Sequence, residues 1–298
     1  MRTQASSVLL TTLVLALTAC GDDDTSGVSP EDCDGPPEVT VLDQGDEPRE
    51  VMEMSPTVGD SATVDIQTGM SIDTGVDSES ASTDAVPMMQ FGMTTTVDEV
   101  TDDEIKMSFV YDEGEADGDA VTESMSSLLV GVSGTLTTTR SGAFVDAEVT
   151  TDGSDPMLTQ MVGQLEQMLG DMTTPFPTEP LGPGAEWDIV SSHEVSNATF
   201  CNTASYTLAD FDGDAYELDV EVSQQVMPAT AEEDGQQVVV EDYTASGSGT
   251  TRGRLSFPMA VSGSSSVTSE TEMTLEQDGT EQTEQMTTEV TTEITPRE

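Results

Sequence analysis

The chain has 298 residues, with 59 Asp and Glu against seven Lys and Arg, and a formal net charge of -52 at pH 7. This charge excludes a nucleic-acid-binding role, because neutralising phosphates requires many basic side chains. A hydrophobic content of 35% is low but sufficient for a core, and the length fits one β-rich domain or two small ones.

The first 20 residues predict export and lipid attachment. Arg2 precedes an apolar run over 8–17 that is too short for a membrane span and is typical of a signal peptide. Leu17-Thr18-Ala19-Cys20 fits the bacterial lipobox, in which the cysteine is lipidated and becomes the first residue. We therefore expect a signal peptide over 1–19 and a lipid anchor on Cys20, on the extracytoplasmic face of the cell membrane. A plain signal peptide with a chance cysteine is the alternative.

The chain has three cysteines. If Cys20 carries the lipid, Cys33 and Cys201 remain as a pair in an oxidising compartment, where a disulfide is permitted. Their separation is 201 minus 33, or 168 residues, and the chain-entropy model gives such a loop about 5 kcal/mol at most. Two unpaired thiols are the alternative, because spacing does not show that the side chains face each other.

The predicted domain begins after a tether. Residues 20–45 are rich in Asp, Gly, Pro and Ser and lack periodicity, which predicts a flexible acidic tether, and residues 46–298 predict a single β-rich domain. Apolar alternation then predicts strands over 62–68, 88–97 and 105–111. On the third strand, one face carries Ile105, Met107, Phe109 and Tyr111.

Two stretches have apolar residues at helical spacing. The first is 120–130, with Val121, Met125, Leu128 and Leu129. The second is 155–170, where Asp155-Pro156 favours a helix start, Gly170 favours a stop, and one stripe carries Met157, Met161, Leu165, Met168 and Leu169. Between them, strands over 134–140 and 143–151 are joined by a Ser141-Gly142 turn.

The last third of the chain predicts a β-meander. A Pro- and Gly-rich loop over 175–186 leads into the only tryptophan, Trp187, and a strand over 187–195. Further strands are expected over 200–209, 215–226, 238–247, 251–261, 267–276 and 285–294. Asp212-Gly213, Asp234-Gly235 and Asp278-Gly279 favour hairpin turns. The predicted fold is mainly β (α+β), a large curved antiparallel sheet or half-barrel of about 11 strands with two helices on its concave face.

Two resemblances bear on this fold. At Gly182-Pro183-Gly184-Ala185-Glu186-Trp187, with Tyr206-Thr207-Leu208 and Asp212-Gly213-Asp214, the chain resembles a domain-of-unknown-function family of secreted lipoproteins best known in actinobacteria. The similarity runs from Pro48 to about Gln225, and that family has no assigned activity. The element order also resembles the half-barrel of bacterial lipoprotein carriers and mycobacterial lipid-carrier lipoproteins, in which an acyl chain lies between sheet and helices. This resemblance implies an apolar ligand on the concave face.

The candidate ligand-binding residues are apolar and belong to the two predicted helices and the tryptophan strand. They are Met125, Leu128, Met157, Met161, Leu165, Met168 and Trp187. Methionine is unusually frequent, with 17 in the chain, and flexible thioethers suit a groove that adapts to an acyl chain. Methionines that simply fill a core, or that bind copper(I), are the alternatives.

The sequence offers no catalytic, metal or cofactor site. His193 is the only histidine, and no nucleophile elbow, zinc spacing or phosphate loop is present. The acids around Asp212, and those over 112–119, do not match an EF-hand loop, and hairpin turns explain them. We expect a non-enzymatic protein without a cofactor.

Two functions follow from these patterns. The first is a membrane-anchored lipoprotein that binds or carries a lipid or other apolar ligand. The alternative is an acidic cell-surface lipoprotein with a structural or protein-interaction role. The partners expected are the membrane, through the N-terminal lipid, and an apolar ligand, and the oligomeric state is left open.

The acidity itself generates the first prediction. The acids are spread over every predicted element, which favours a surface adapted to salty surroundings, where a Debye length of about 3 Å at 1 M mutes repulsion. The denaturation midpoint should therefore fall when salt is removed. A midpoint that does not change with ionic strength, measured by circular dichroism, would contradict this interpretation.

Overall fold

We describe the fold from a computed structural model. It describes residues 33, 37–76, 79–116, 129–150, 162, 165–166, 168–170, 172–195, 198–226, 229–233, 236–277 and 280–297. Within these residues no helix is long and apolar enough to cross a membrane.

In the part of the chain that the structure describes, thirteen β-strands form the fold. They are β1 (Glu38–Asp43), β2 (Ser61–Val76), β3 (Glu79–Val100), β4 (Glu104–Ala116), β5 (Ser133–Thr139), β6 (Phe144–Thr150), β7 (Glu186–Val195), β8 (Ala198–Phe211), β9 (Ala215–Val226), β10 (Ala229–Glu233), β11 (Gln236–Arg254), β12 (Phe257–Gln277) and β13 (Thr280–Pro296).

All thirteen strands belong to one antiparallel sheet. Its order is β1-β7-β8-β9-β11-β12-β13-β2-β3-β4-β5-β6, and β10 pairs with β11. β9 and β10 face consecutive parts of β11, since Gln225 pairs with Thr244 and Ala229 with Val240, so the two act as one interrupted strand. The prediction of a mainly antiparallel β protein is confirmed. About 11 strands were expected, and the described residues form thirteen, or twelve with β9 and β10 taken as one.

Two meanders make up this sheet. β2 to β6 form the first and β7 to β13 the second, and β13 pairs with β2 from Glu284↔Val76 to Pro296↔Val64. β1 adds to β7 at one edge, and β6 forms the other edge. β1 lies inside the range 20–45 that the sequence suggested as a tether, and there it is hydrogen-bonded into the sheet.

The sheet is strongly curved. In the strand order, the turn after β11 and the turn after β5 are six strand spacings apart, or about 30 Å in a flat sheet. Yet the adjacent residues Met54 and Ser55 donate backbone hydrogen bonds to Arg140 and Leu255, one in each turn, both at 2.7 Å. The two carbonyls therefore lie within about 10 Å of each other. The sheet curls until the segment before β2 spans it.

The concave face of the sheet carries one hydrophobic core. The alternation predicted for β4 is confirmed, because Ile105, Met107, Phe109 and Tyr111 are all at most 3% exposed. On β9, Tyr216 and Leu218 are equally buried, and Glu217 between them is half-buried. A second, small cluster of Ala245, Val267 and Val290 lies farther along the strands.

The two predicted helices are not supported as continuous helices. Of 120–130, only residues 129 and 130 are described, and only Leu129 is helical; Met125 and Leu128 lie outside the described residues. Of 155–170, residues 162, 165–166 and 168–170 are helical, and Met157 and Met161 lie outside the described part. Helical spacing shows that a segment has a face to bury. It does not show that the segment forms a short helix, because short helices depend on tertiary packing for their stability.

The break that the sequence predicted between strands at 248–250 is wrong. β11 continues to Arg254, and the turn falls at Leu255-Ser256. The glycines of this region pack strands instead of ending them, since Gly253 pairs with Tyr216, whose ring occupies the space that a β-carbon would need. Gly134 does the same opposite Phe109 on β4. An aromatic ring lying over a glycine is a known device of antiparallel sheets.

Two predicted turns are confirmed by the positive φ angles of their glycines. Gly142 has φ of 82° between β5 and β6, and Gly213 has φ of 97° between β8 and β9. The turn residues 234–235 and 278–279 lie outside the described residues, although β12 ends at Gln277 and β13 begins at Thr280 as those predictions require.

The glycine packing yields a testable prediction. Gly253→Ala should destabilise the protein by about 1–3 kcal/mol, because the new methyl group meets the buried Tyr216 ring. Gly69→Ala is the matched control, since its nearest contact is the Thr291 hydroxyl at 3.3 Å. Urea unfolding of both variants measures the difference. Equal stability of the two variants would contradict the proposed role of Gly253.

Candidate ligand-binding site

A strap of five residues, 172–176, crosses the concave face. Ala260 on β12 donates a backbone hydrogen bond to Met172 O (3.2 Å), and Phe176 donates one to Ser141 O (2.8 Å) in the turn after β5. The Trp187 indole N–H on β7 donates to Pro175 O (3.3 Å). The strap is thus hydrogen-bonded to β12 in the middle of the sheet, to β7 near one edge and to the turn before the other edge strand, β6.

Short helical residues lead into this strap along the edge strand β6. The Val149 N–H donates to the Glu166 carboxylate (3.5 Å), and a β-carbon at Gly170 would sit 3.4 Å from the Phe144 ring. Leu165 and Leu169 point into the core and are 6% and 0% exposed. The segment therefore covers part of the β6 edge and also inserts apolar side chains into the concave face.

An aromatic cluster surrounds the strap. Trp187 is fully buried and stacks on Tyr206, with ring centroids 5.3 Å apart and planes 7° apart. Phe176 lies 6.0 Å from Trp187 and 5.1 Å from Tyr216, the latter edge to face. Such pairs add to the apolar area they bury. They fix the strap against β7 and β9.

The structure brings together three of the predicted ligand-binding residues. Leu165 and Trp187 belong to one core cluster, and Met168 is partly buried against it. Met125, Leu128, Met157 and Met161 lie outside the described residues, so their predicted role stays a prediction.

Several residues of the same face were not among the predicted ligand-binding residues. Met52, Met54, Met172, Phe176 and Leu181 are all at most 6% exposed, although they lie in segments without regular structure. Periodicity cannot identify core residues there. The sequence could have indicated their burial in one way: these loops, rich in proline and acids, carry many large apolar side chains, and an exposed loop rarely does.

The predicted pairing of Cys33 with Cys201 is confirmed. The two residues form a disulfide with Cα atoms 5.8 Å apart, and both are buried. Cys201 lies on β8 three residues after its start, and Cys33 precedes β1. The bond ties the entry of the chain to the sheet. Cys20 lies outside the described residues, so its lipidation stays a prediction.

Buried tyrosines give the concave face its few polar atoms. Burial raises the pKa of Tyr216 to about 12, and the Thr174 hydroxyl beside it partly offsets this effect. Burial also raises the pKa of Tyr111, whose hydroxyl makes no hydrogen bond within the described part of the chain. These hydroxyls stay neutral at physiological pH. The face is therefore apolar, with isolated hydroxyls.

The acids around Asp212 form a hairpin turn, as the sequence predicted. The Asp212 carboxylate accepts hydrogen bonds from the backbone N–H of Ala215 (2.9 Å) and Asp214 (3.2 Å), which hold its pKa below the usual value. Asp214 in turn accepts from Ser256 in the neighbouring turn. Among the described residues, no group of three or more His, Cys, Asp or Glu could hold a metal ion. His193 lies on β7 opposite Phe200.

A shallow depression of about 200 Å³ lies elsewhere on the sheet. It is lined by Gln67, Gly69, Ser264, Ser265, Thr291, Thr292 and Glu293. Small hydroxyls and charges make it a poor site for an apolar ligand.

The comparisons with known proteins identify no relative from which a function could be inferred. No protein-family model matches the chain, and no curated protein is significantly similar to it. The functional argument therefore rests on the strap and the face beneath it.

The tyrosine hydroxyls yield a matched pair of variants. Tyr111→Phe removes a buried hydroxyl without a partner and should be neutral or stabilising by about 1–2 kcal/mol. Tyr243→Phe removes a hydroxyl that donates to the buried Gln224 amide oxygen (2.8 Å) and should cost about 1–2 kcal/mol. Denaturant unfolding measures both. A cost for Tyr111→Phe as large as that for Tyr243→Phe would show that the Tyr111 hydroxyl has a polar partner.

Proposed function

We propose that this protein is an exported lipoprotein, anchored to the membrane through Cys20, that binds or carries a lipid or other apolar ligand without catalysis. The observation that carries this proposal is the strap over the concave face. A curved antiparallel sheet, apolar on the inside and covered by a crossing segment, would shield an acyl chain from water once the chain replaced part of the cover. The half-barrel that the element order resembles uses this arrangement.

The anchor is supported by the sequence around Cys20 and by the remaining cysteines. Cys33 and Cys201 bind each other, which leaves Cys20 as the unpaired cysteine of the three. Its position directly after Leu17-Thr18-Ala19 is what lipid attachment requires.

The interior near the strap is filled by protein side chains. Leu169, Trp187, Leu208 and Leu218 are each 0% exposed. A ligand must therefore displace part of the cover, and the side chains that leave are those of the strap and its helical lead. An acyl chain could take the place of three of these side chains, those of Leu165, Leu169 and Met172, because it would restore to the sheet the apolar contacts that they give up. Methionines such as Met52 and Met54 adapt easily to the new surface.

The first experiment detects a bound lipid. A Cys20→Ser body, expressed through the export route and purified without detergent in high salt, is extracted with organic solvent and analysed by mass spectrometry. We expect a stoichiometric lipid. A well-folded body that is empty, and that also fails to bind a fluorescent fatty acid, would rule out the carrier function.

A variant of the cover tests where the ligand binds. Leu169→Ala should weaken the closed state by about 2–5 kcal/mol, and the fluorescent fatty acid should then bind at least about tenfold tighter, because less free energy is spent on opening. Leu218→Ala is the control, since it is equally buried but lies on β9 of the sheet. Equal affinity for both variants would mean that the cover does not gate the site.

The alternative is an acidic cell-surface protein that acts through its exterior. It is favoured by the strand lengths, because β3 has 22 residues and β12 has 21, far more than one core requires. This function predicts a protein without a lipid and a partner bound through the outer faces of these strands.

A further inference from the structure

A row of polar side chains crosses the concave face at a distance from the strap. The register places one residue of this row on each of the strands β8, β9, β11, β12 and β13. In that order they are Asn202, Gln224, Ala245, Ser269 and Thr288, and we call them the polar row. Gln224 lies on the same face of β9 as Tyr216 and Leu218, because side chains alternate between the faces of a strand.

Tyr243 places its hydroxyl over the middle of the polar row, where Ala245 has none. This hydroxyl donates to Gln224 Oε1 (2.8 Å), and Ser269 is a second hydrogen-bond partner. The Gln224 amide nitrogen donates to Asn202 Oδ1. The Phe200 ring packs edge to face on the Tyr243 ring, with centroids 5.3 Å apart. The phenol is therefore held in position.

Two members of the polar row keep unused hydrogen-bonding capacity. Thr288 is 5% exposed, and its hydroxyl has no hydrogen-bond partner among the described residues. Gln224 is 6% exposed, and its bonds to Asn202 and Tyr243 use one of its two N–H donors and one of the two lone pairs on its oxygen. Buried groups of this kind are costly unless something pairs with them. They favour a ligand with a polar head.

The concave face between the polar row and the strap suits the tail of such a ligand. The strip next to the row consists of Val222, Gly247, Val267 and Val290, which are buried, and the partly buried Met70. The strip after it carries small, half-buried residues, which leave room above the sheet. They are Gly249, Ser265, Thr292 and Thr68.

The length of this path matches an acyl chain. Gln224 is eight residues from Tyr216 along β9 (224 minus 216), or about 26 Å. Tyr216 contacts Phe176 of the strap, with ring centroids 5.1 Å apart. One acyl chain spans about 15 Å in each leaflet of a bilayer. A chain that starts at the polar row therefore ends beneath the strap or its helical lead.

The polar row excludes a charged head. None of its five members is ionisable, and Tyr243 beside them stays neutral because burial raises the pKa of its hydroxyl to about 12. A carboxylate or phosphate placed there would lose its hydration without meeting a cation. An ammonium group would meet no carboxylate in the row. Hydroxyl and carbonyl groups, by contrast, pair with hydroxyls and amides at little cost.

We propose that the polar row binds the uncharged, hydroxylated head of a single-chain amphiphile whose acyl chain runs along the concave face towards the strap. This inference rests on the proposed function and names the class of its ligand. Gln224 lies three strands from Thr288, with the hydroxyls of Tyr243 and Ser269 between them. A head with several hydrogen-bonding groups, such as a glycerol ester, therefore matches the row, and these groups fix the orientation of the ligand.

The experiment compares two ligands that have the same acyl chain and different heads. The exported Cys20→Ser protein in high salt is loaded with a fluorescent fatty acid. The probe is then displaced by 1-monooleoylglycerol or by oleate, at a pH where oleate is ionised and below the concentrations at which either aggregates. We expect 1-monooleoylglycerol to displace the probe at a concentration at least about tenfold lower than oleate.

The outcomes separate this inference from the proposed function. Oleate that displaces the bound probe as well as 1-monooleoylglycerol does, or better, would overturn the uncharged head and leave the carrier function in place. A bound probe that 1-monooleoylglycerol does not displace would also overturn it. A protein that binds neither the probe nor either ligand would refute the carrier function, and this inference with it.

A substitution at Thr288 tests the position of the head. Thr288→Val keeps the shape of the side chain and removes the unpartnered hydroxyl. It should weaken 1-monooleoylglycerol binding about fivefold or more and leave oleate binding unchanged. The urea midpoint of the ligand-free protein should stay the same or rise, because no hydrogen bond within the described residues is lost.

Two further variants are the controls. Thr287→Val makes the same change on the outer face of β13 and should alter neither affinity. Thr288→Ser retains the hydroxyl and should retain the preference for 1-monooleoylglycerol. If Thr288→Val weakens both ligands equally, or weakens neither, Thr288 does not contact the head and the proposed position is wrong.

Discussion

The pairing of β13 with β2 is the contact on which the rest of the structure depends. It joins the first and last long strands of the chain over 13 residue pairs. Without it, the two meanders would each have an exposed edge and half of a concave face. With it, the apolar residues of β2 to β5 and of β7 to β9 face each other across one interior. The curvature, the shared core and the need for a cover all follow from this one non-local contact.

This contact also explains the position of the C-terminal arginine. Arg297 follows β13 directly, donates its backbone N–H to Thr63 O (2.9 Å), and pairs through its guanidinium with carboxylates on β2 and β4. In a chain with a net charge of -52, one cation between two acids removes repulsion where three strands must meet. Non-local strand pairing is slow to form, and β13 can pair with β2 only after the residues between them are available.

Local patterns predicted the parts of the fold that local chemistry decides. Alternation identified the inward residues of β4 and β9, and Ser-Gly and Asp-Gly pairs identified two turns. The Gly- and Ser-rich stretch in β11 was misread, because the reason for Gly253 is a tyrosine ring on another strand. The strap could not be predicted either, since the sequence around Pro175 and Phe176 has no hydrophobic periodicity. Their hydrogen-bond partners lie on β7 and in a distant turn. For the candidate site, Leu165, Met168 and Trp187 followed from spacing and rarity, whereas Met52, Met54 and Phe176 required the fold.

The disulfide between Cys33 and Cys201 has one more consequence. It closes a covalent ring between two residues 168 positions apart, and this ring includes β1 to β7, the strap and the start of β8. A single protease cut anywhere within this ring leaves both pieces attached to one molecule. The two pieces therefore stay together after a cut that would divide an open chain.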